Sequence, residues 1–455
     1  MNVRRGDDFM KNVVLTRKPL GNKRFQWKQK EYILSTFNCV AQDMDLMIRN
    51  CKEAGFNLLE VGWSRHDKVW EAVENCEKYG VDLLFQDLSL FGGMMHFQDD
   101  RPVEDETIRE TVKILKDKKH IVGYYVWDEP YDEKLFAEAR RQSDILLECA
   151  PDALLYSVFP PSYNPGPTWD NGQYYEAFER YIQKLNPPVV SFDCYPVGDY
   201  DGHYPGLKYT DDKQLDNSPM WLDLAVARNF ARKYERPFWF YYQGCPVFNT
   251  EKFTFPMVRA LMHAGAMYGA KGLQNYTITG LCNVPQEGGD YPTETTALLI
   301  TGEKGEFFED QKQIHEEFHQ LGNTLMALTN EAVYHSSDVA PFGKYGEIYS
   351  SFEEHMEDSE ILCGNLPDRT SVGEFKDDYG NPYLFVLNRD FYRPLNAVIS
   401  LQANYHQYEV SKKDGLQSLV TTSDKISLSL DCGDAILLRL QPASEDPYTI
   451  TYALE

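Results

Sequence analysis

The sequence has no apolar run that approaches the roughly 18–20 residues needed for a membrane-spanning helix. Its first residues, MNVRRGDDFMKNVVLTRKPLGNKRFQW, include basic side chains but no apolar h-region of the kind found in secretory signal peptides. We therefore predict no membrane partner and a cytoplasmic location, or a periplasmic or secreted one if the N-terminus was trimmed.

Basic residues are also in short supply. The chain of 455 residues has 45 Lys and Arg against 70 Asp and Glu, which gives a formal net charge of −25. A protein this acidic repels phosphate backbones and anionic membrane surfaces, which argues against nucleic acid as a partner. A neutral, polar partner such as a carbohydrate fits this charge better.

Several motifs that are typical of particular metal sites or enzyme classes are missing. The nine cysteines include no CxxC pair and no Cys/His cluster, which argues against a disulfide framework and a structural zinc site and favours free thiols. No GxSxG elbow, P-loop or GxGxxG fingerprint occurs, so esterase and nucleotide chemistry lack support. We predict that the protein uses no metal and no cofactor.

Short apolar runs alternate with amphipathic helical patterns over the first 300 residues, as expected for repeated β/α units. The predicted strands cover residues 32–38, 57–63, 81–87, 121–127, 154–159, 189–195, 238–243 and 273–278. Eight strands, each followed by a helix, within about 300 residues predict a TIM barrel. The alternative, an open doubly wound sheet, rarely needs eight evenly spaced units.

The pattern changes after about residue 335. Helical periodicity stops, and short alternating strands such as PYLFVLNR, NAVISLQ and AILLRL follow one another with turn residues between them. We predict an α/β protein with a (β/α)8 TIM barrel followed by a small C-terminal all-β sandwich domain. The predicted divisions are an N-terminal extension at 1–30, the barrel at 31–334 and the sandwich at 335–455.

In a TIM barrel the working residues lie at the carboxyl ends of the strands and in the loops that follow them. The predicted strand ends are polar and aromatic and carry almost no Lys or Arg. Such a rim suits stacking on the apolar faces of sugars and hydrogen bonding to their hydroxyl groups. The predicted substrate-binding residues are Asn38, Trp63, Asp87, Trp127, Tyr195, Tyr242, Asn275 and Tyr276.

The strongest single signal is GYYVWDEP at residues 123–130, where two adjacent carboxylates end the fourth predicted strand. A buried Glu129, flanked by Trp127 and by the charge of Asp128, would have a raised pKa, and a carboxyl group of this kind can act as a general acid. The alternative is that Glu129 caps the strand end or forms an ion pair there, because Asp/Glu-Pro turns are common.

These residues resemble glycoside hydrolase clan A, the retaining TIM-barrel group that includes the family 42 β-galactosidases. Those enzymes carry their acid/base Glu in an Asn-Glu-Pro-like motif after strand four, which Asp128-Glu129-Pro130 matches. The likeness is closer to uncharacterised bacterial glycoside-hydrolase-like proteins with GYY..DEP, SFDCYP-like, RPFWFYYQG-like and DCGDAILLRL-like segments. The resemblance spans most of residues 30–440 and implies an enzyme of carbohydrate metabolism that hydrolyses glycosidic bonds, with Glu129 as its acid/base.

One residue departs from the family pattern. Clan A enzymes place a nucleophilic Glu at the end of strand seven, where this chain has Gln243. An amide cannot form the glycosyl ester of the retaining reaction, although it can position a substrate. The second carboxylate would then come from elsewhere, and the candidates are Glu287 and Asp193, either of which could instead be structural.

Two further possibilities remain open. The Asp128-Glu129 pair resembles the Asp-Glu pair of the family 20 hexosaminidases, in which the Asp orients a 2-acetamido group that attacks the anomeric carbon; this is one of the substrate-assisted exceptions to two-carboxylate catalysis. Asp128 could instead take the sugar-binding role of the clan A Asn. Alternatively, Gln243 marks a barrel that binds carbohydrate without cleaving it.

Overall fold

The computed structural model describes residues 11–17, 19–37, 41–61, 66–86, 103–163, 173–197, 215, 218–246, 253–279, 295–337, 352 and 354–454. Its larger sheet has eight strands, all parallel, in the order β6-β5-β4-β3-β2-β9-β8-β7. These strands are β2 (Ile33–Phe37), β3 (Leu58–Val61), β4 (Asp82–Phe85), β5 (Ile121–Asp128), β6 (Leu154–Val158), β7 (Val190–Cys194), β8 (Phe238–Gln243) and β9 (Gly272–Tyr276). A parallel bridge between Phe159 and Phe192 joins the two ends of this order and closes the barrel.

Helices follow the strands and cover the outside of the barrel. They are α1 (Met44–Glu53), α2 (His66–Tyr79), α3 (Asp105–Leu115), α4 (Glu133–Cys149), α5 (Tyr174–Leu185), α6 (Met220–Lys233), α7 (Phe255–Met267) and α8 (Phe308–Ala327). Local signals set their ends: Asp43 and Asp132 cap α1 and α4 through their side chains, and Gly55 and Gly80 adopt the positive φ that turns the chain back to the sheet. The predicted TIM barrel is confirmed.

The barrel interior is a packed core. Its apolar layer consists of residues from six strands and one strand-adjacent position: Phe37, Leu58, Leu84, Tyr125, Leu154, Tyr156, Val158, Val189, Trp239 and Tyr241. Side chains one position away along each strand pack outward against the helices, since successive residues of a strand face opposite sides. This alternation decides which predicted site residues can meet at the barrel mouth.

Seven further strands form a curled antiparallel sheet at the C-terminal end, with the order β10-β12-β13-β16-β14-β11 and with β15 paired to β14. They are β10 (Thr329–His335), β11 (Leu362–Cys363), β12 (Thr370–Lys376), β13 (Pro382–Asn388), β14 (Leu395–Val410), β15 (Gln417–Leu430) and β16 (Ala435–Pro442). The sheet encloses its own apolar cluster, which includes Val372, Leu384 and Leu438. A separate two-stranded parallel sheet joins β1 (Lys11–Arg17) to β17 (Tyr448–Leu454).

The predicted all-β domain is therefore present after the barrel, and its first strand begins at Thr329. The division at 334/335 stays a prediction. None of the helices in the described ranges is both long and apolar enough to cross a membrane.

Candidate active site

A β-bulge at the carboxyl end of β5 directs the predicted acid pair. Tyr125 pairs with Tyr156 and Trp127 pairs with Ser157, so Val126 is an extra residue in β5. The bulge changes the alternation, so that Tyr125 and Asp128 both face the barrel interior, and the Tyr125 hydroxyl donates a hydrogen bond of 2.8 Å to Asp128 Oδ1. The local irregularity thus supplies the orientation of Asp128.

Glu129 follows in a conformation that is rare for a residue with a side chain. Its φ is +47°, and it precedes Pro130. A residue held in this left-handed region costs about 1–3 kcal/mol, and such residues concentrate at functional sites. The turn places the Glu129 carboxyl group beside the end of β7, where it is hydrogen-bonded to the Asp193 carboxyl group.

Asp128, Glu129 and Asp193 form one buried cluster at the carboxyl ends of β5 and β7, with exposed fractions of 8%, 8% and 5%. The pKa of Asp193 is raised to about 7, mainly by burial and in smaller part by the charge of Asp128. The pKa of Glu129 is raised well above its ordinary value, first by burial and then by the charges of Asp193 and Asp128. None of the described basic side chains contributes to either shift, so Glu129 keeps its proton and donates a hydrogen bond to Asp193.

Two tyrosines adjoin this cluster. The rings of Tyr195 and Tyr276 are stacked, with centroids 4.5 Å apart and an interplanar angle of 17°, and Tyr276 also stacks on Phe37. Tyr195 is hydrogen-bonded to Asp193, and its backbone N–H donates to the hydroxyl of Tyr163. Both tyrosines are partly exposed, so the carboxylates lie next to an aromatic surface of the kind predicted for a sugar site.

Three other predicted substrate-binding residues pack outside the barrel interior, and their role in sugar binding stays a prediction. Trp127 is buried in the apolar layer between the barrel and the helices. The Tyr242 hydroxyl accepts hydrogen bonds from Asn275 Nδ2 at 3.2 Å and from Gln311 Nε2 on α8 at 3.3 Å. Tyr242 and Asn275 take these positions because their neighbours in the sequence occupy the inward positions of β8 and β9.

Gln243 is bonded to the backbone that follows β7, and its role toward a substrate stays a prediction. Its side chain is fully buried, and both polar atoms of the amide bond the backbone of Val197. Oε1 accepts from the Val197 N–H at 2.9 Å, and Nε2 donates to the Val197 carbonyl oxygen at 2.7 Å. The amide therefore fixes the segment that follows Tyr195.

The structure brings together Asp128, Glu129, Asp193, Tyr195 and Tyr276 from the predicted set. Four other predicted residues lie outside the described residues, and their roles stay predictions: Asn38, Trp63, Asp87 and Glu287.

Glu60 is buried inside the barrel and makes no ion pair among the described residues. Ser35 Oγ and Gln274 Nε2 donate to its Oε1 at 2.8 and 2.7 Å, and the Tyr241 hydroxyl donates to Oε2. Burial raises the pKa of Glu60 to about 8. Its hydrogen-bond partners are thus three uncharged donors.

Asp223 is a buried acid that the sequence interpretation missed. It lies on α6, accepts a hydrogen bond from the Ser162 N–H at 3.3 Å, and is hydrogen-bonded to Cys194. Burial raises the pKa of Asp223 to about 8, and the charge of Asp193 adds to the shift. The available signal was an acidic residue inside the apolar run MWLDLAVA, where a solvated side chain has no place.

The residues HEEFH at 315–319 match the HExxH spacing of zinc hydrolases, which the prediction of no metal left out of account. In the structure His315 Nδ1 lies 2.8 Å from the carbonyl oxygen of Ala54, and His319 Nε2 lies 2.7 Å from that of Gly55. Both rings thus attach α8 to the end of α1. Neither belongs to the group of described side chains that could share an ion, which is His263, Glu317 and Asp434.

No protein-family model matches the chain, and no curated protein matches it. Among solved structures, it is similar to a family 39 glycoside hydrolase from the gut symbiont Bacteroides cellulosilyticus WH2, with a TM-score of 0.48 and 12% identity over 90% of this chain and 81% of that one. It is also similar to a family 30 subfamily 8 xylanase from Clostridium acetobutylicum, with a TM-score of 0.44, 11% identity and coverages of 94% and 99%.

A glucosidase from Croceicoccus marinus matches with a TM-score of 0.40 and 11% identity, over 96% of this chain and 99% of that one. At these identities the likeness concerns the fold alone, and the strand order of this chain establishes the barrel without it. The more specific resemblance to family 42 stays a prediction.

Proposed function

We propose that this protein is a glycoside hydrolase that acts on a neutral oligosaccharide or glycoside, with Glu129 as the general acid. The observation that carries the proposal is the buried cluster of Asp128, Glu129 and Asp193 beside the Tyr195–Tyr276 stack. A carboxylic acid that keeps its proton near neutral pH can protonate a glycosidic oxygen as the bond breaks. Aromatic rings next to such an acid favour a sugar, whose ring has apolar faces.

Asp193 has two roles in this proposal. Its negative charge and hydrogen bond hold the proton on Glu129, and its buried Oδ1 has no hydrogen-bond partner among the described residues, so it can accept from a sugar hydroxyl. The two carboxyl groups are in direct contact, closer than the ~5–5.5 Å of retaining pairs or the ~6.5–9.5 Å of inverting pairs. Asp193 therefore tunes the acid, and Glu287 remains the candidate for the second carboxylate.

Substrate-assisted hydrolysis of an N-acetylhexosaminide is a second candidate, and one observation favours it. Asp128 is adjacent to Glu129 and is oriented by the Tyr125 hydroxyl, as a residue that positions a 2-acetamido group would need to be. In that reaction the acetamido oxygen, and no second carboxylate, attacks the anomeric carbon. A substrate panel separates the two candidates, since only the second requires the 2-acetamido group.

The test is turnover on a panel of nitrophenyl glycosides and oligosaccharides, measured as released nitrophenol or reducing ends, by the wild type and Glu129→Gln. We expect kcat/KM to fall by 10³-fold or more in the variant, while the sugar still raises the melting temperature. Glu133→Gln, an exposed acid at the start of α4, is the matched control and should keep full activity.

Equal turnover by Glu129→Gln and the wild type would overturn the assignment of the acid. If sugars stabilise the wild type but none is hydrolysed, the protein is a carbohydrate-binding barrel and the proposed enzyme activity is wrong.

A further inference from the structure

A cavity of about 350 Å³ lies at the opposite end of the barrel from Glu129. Its walls include the amino end of β8, with Pro237 and Phe238, and Lys271, which precedes β9. The lining also includes the second half of α6, the end of α8 and the start of β10. The cavity therefore lies between the barrel and the C-terminal sheet. This volume falls within the ~300–1,000 Å³ range of small-molecule sites.

The charge of the lining contrasts with that of the whole protein. Four basic side chains line the cavity, Arg228, Arg232, Arg236 and Lys271, together with the acids Glu235 and Asp378. The chain as a whole has a net charge of −25. An excess of positive charge in one concave region of so acidic a protein attracts anions to that region.

Three of the four cations have contacts that a structural role would explain. Arg228 pairs with Glu354 at 2.8 Å and bonds Asn330. Lys271 Nζ donates to the carbonyl oxygens of Leu325 and Leu328 at the end of α8, where a cation is favoured by the helix dipole.

Arg236 likewise donates to the carbonyl oxygen of Pro187 at 2.6 Å and to Asn186 Oδ1 at 3.0 Å, just after α5. These hydrogen bonds leave Arg236 without a carboxylate partner among the described residues. Lys271 has no carboxylate partner there either, but burial lowers its pKa to about 7, so Arg236 is the more reliable positive charge near neutral pH.

Arg232 has no comparable structural role. It is exposed at the cavity, and its hydrogen bond is a single one of 3.2 Å from Nη1 to the carbonyl oxygen of Glu331. It forms no ion pair with the described residues, so most of its guanidinium donors are available to a ligand. A guanidinium with free donors suits carboxylate and phosphate groups, which it can bind in a bidentate way.

We propose that this cavity binds a small organic anion that carries carboxylate or phosphate groups, with Arg232 as its direct ligand and Arg236 supplying charge behind it. The site is separate from the proposed active site and does not depend on the proposed hydrolase activity. The two ends of the barrel are about 17–20 Å apart, as five- to six-residue strands require, so this ligand would not be the glycoside itself.

The experiment is calorimetric titration of the full chain with citrate and with inorganic phosphate, at constant ionic strength, and with uncharged glucose as the blank. We expect saturable binding of at least one anion that weakens with added salt. Tighter binding of citrate identifies carboxylate as the preferred chemistry, and tighter binding of phosphate identifies phosphate.

Arg232→Ala should weaken that binding at least tenfold, whereas Arg180→Ala, an exposed arginine on α5, should leave it unchanged. Glu235→Gln should tighten it severalfold, because it removes a negative charge from the lining. The proposal is overturned if neither anion binds the wild type, or if Arg232→Ala binds as tightly as the wild type.

Discussion

At the residue scale, the chemistry of this site depends on where protons reside among buried acids. Glu129 and Asp193 are close enough to share one proton, and the neighbouring Asp128 accepts from Tyr125 and carries negative charge. Sequence neighbours alone do not explain the raised pKa values of Glu129 and Asp193, because the largest cause of each is burial. The quantity to test is therefore the pKa at which the Glu129–Asp193 pair loses this proton.

Asp193→Asn should move the alkaline limb of the kcat–pH profile to lower pH. The Asp193 charge raises the pKa of Glu129, and a neutral amide removes this contribution, so Glu129 would lose its proton at lower pH. The measurement is kcat on the best substrate of the panel between pH 4 and pH 9. An alkaline limb at the same pH in both proteins would show that Asp193 does not tune the acid.

Gln243→Glu should destabilise the protein and should not create a nucleophile. A carboxylate at this position loses the N–H that donates to the Val197 carbonyl oxygen and places a charge in a fully buried site. We expect a loss of about 1–3 kcal/mol in the free energy of unfolding, measured with urea. Gln183→Glu on the surface of α5 is the control. A stable variant with higher turnover would contradict the positioning role given to Gln243.

At the scale of elements, the contact between β5 and β6 determines the position of Asp128 and Glu129 at the end of β5. Gly123 pairs with Leu154, and a Cβ atom at Gly123 would lie 2.0 Å from the Leu154 carbonyl oxygen. The two strands can come this close only at a residue without a side chain, and the bulge at Val126 then follows three residues later. The pairing at the amino end of β5 and the bulge at its carboxyl end together orient Asp128 and Glu129.

Gly123→Ala should therefore destabilise the barrel more than an alanine at a glycine without close neighbours. The new methyl group meets backbone that cannot rotate away, and we expect a cost at the upper end of about 1–3 kcal/mol or above it. Gly380→Ala is the control, because nothing lies within 4 Å there and only its positive φ of 81° adds a cost of about 1 kcal/mol. Equal urea midpoints for the two variants would show that β5 and β6 separate without cost.

At the scale of the whole molecule, buried acids make stability depend on pH. The pKa values of Asp223 and Glu60 are raised to about 8 and that of Asp193 to about 7, in each case mainly by burial. The folded state therefore binds more protons than the unfolded chain between about pH 4 and these values. It follows that their stabilisation is present at low pH and is lost as the pH rises through 7 to 8.

We expect Asp223→Asn to reduce this loss, because asparagine resembles the protonated acid and does not titrate. Between pH 6.5 and 8 the free energy of unfolding should fall by roughly 1–2 kcal/mol more in the wild type than in the variant, at about 1.4 kcal/mol per pKa unit. The buried His263 and His315 have lowered pKa values and act below pH 6.5, outside this window. Parallel stability curves would show that Asp223 is ionised in the folded protein.

Much of this architecture could be predicted from local pattern. The eight strands and their helices follow from apolar periodicity, because a strand or helix must bury one face whatever its distant neighbours are. GYYVWDEP likewise marks a strand end with two carboxylates. The orientation of the side chains in this segment could not be predicted, because a bulge of one residue at Val126 reverses which side chains face inward, and Trp127 packs outward as a result.

The sequence by itself determined the order of strands and helices, the acidic charge and the positions of Asp128, Glu129 and Asp193 at strand ends. Only the tertiary structure decided that Glu129 and Asp193 meet, that Gln243 binds Val197, and that basic side chains gather at the far end of the barrel. The physical reason is that periodicity depends on neighbours a few residues apart. A shared proton, a raised pKa and a charged cavity depend on distances and burial between residues that only barrel closure brings together.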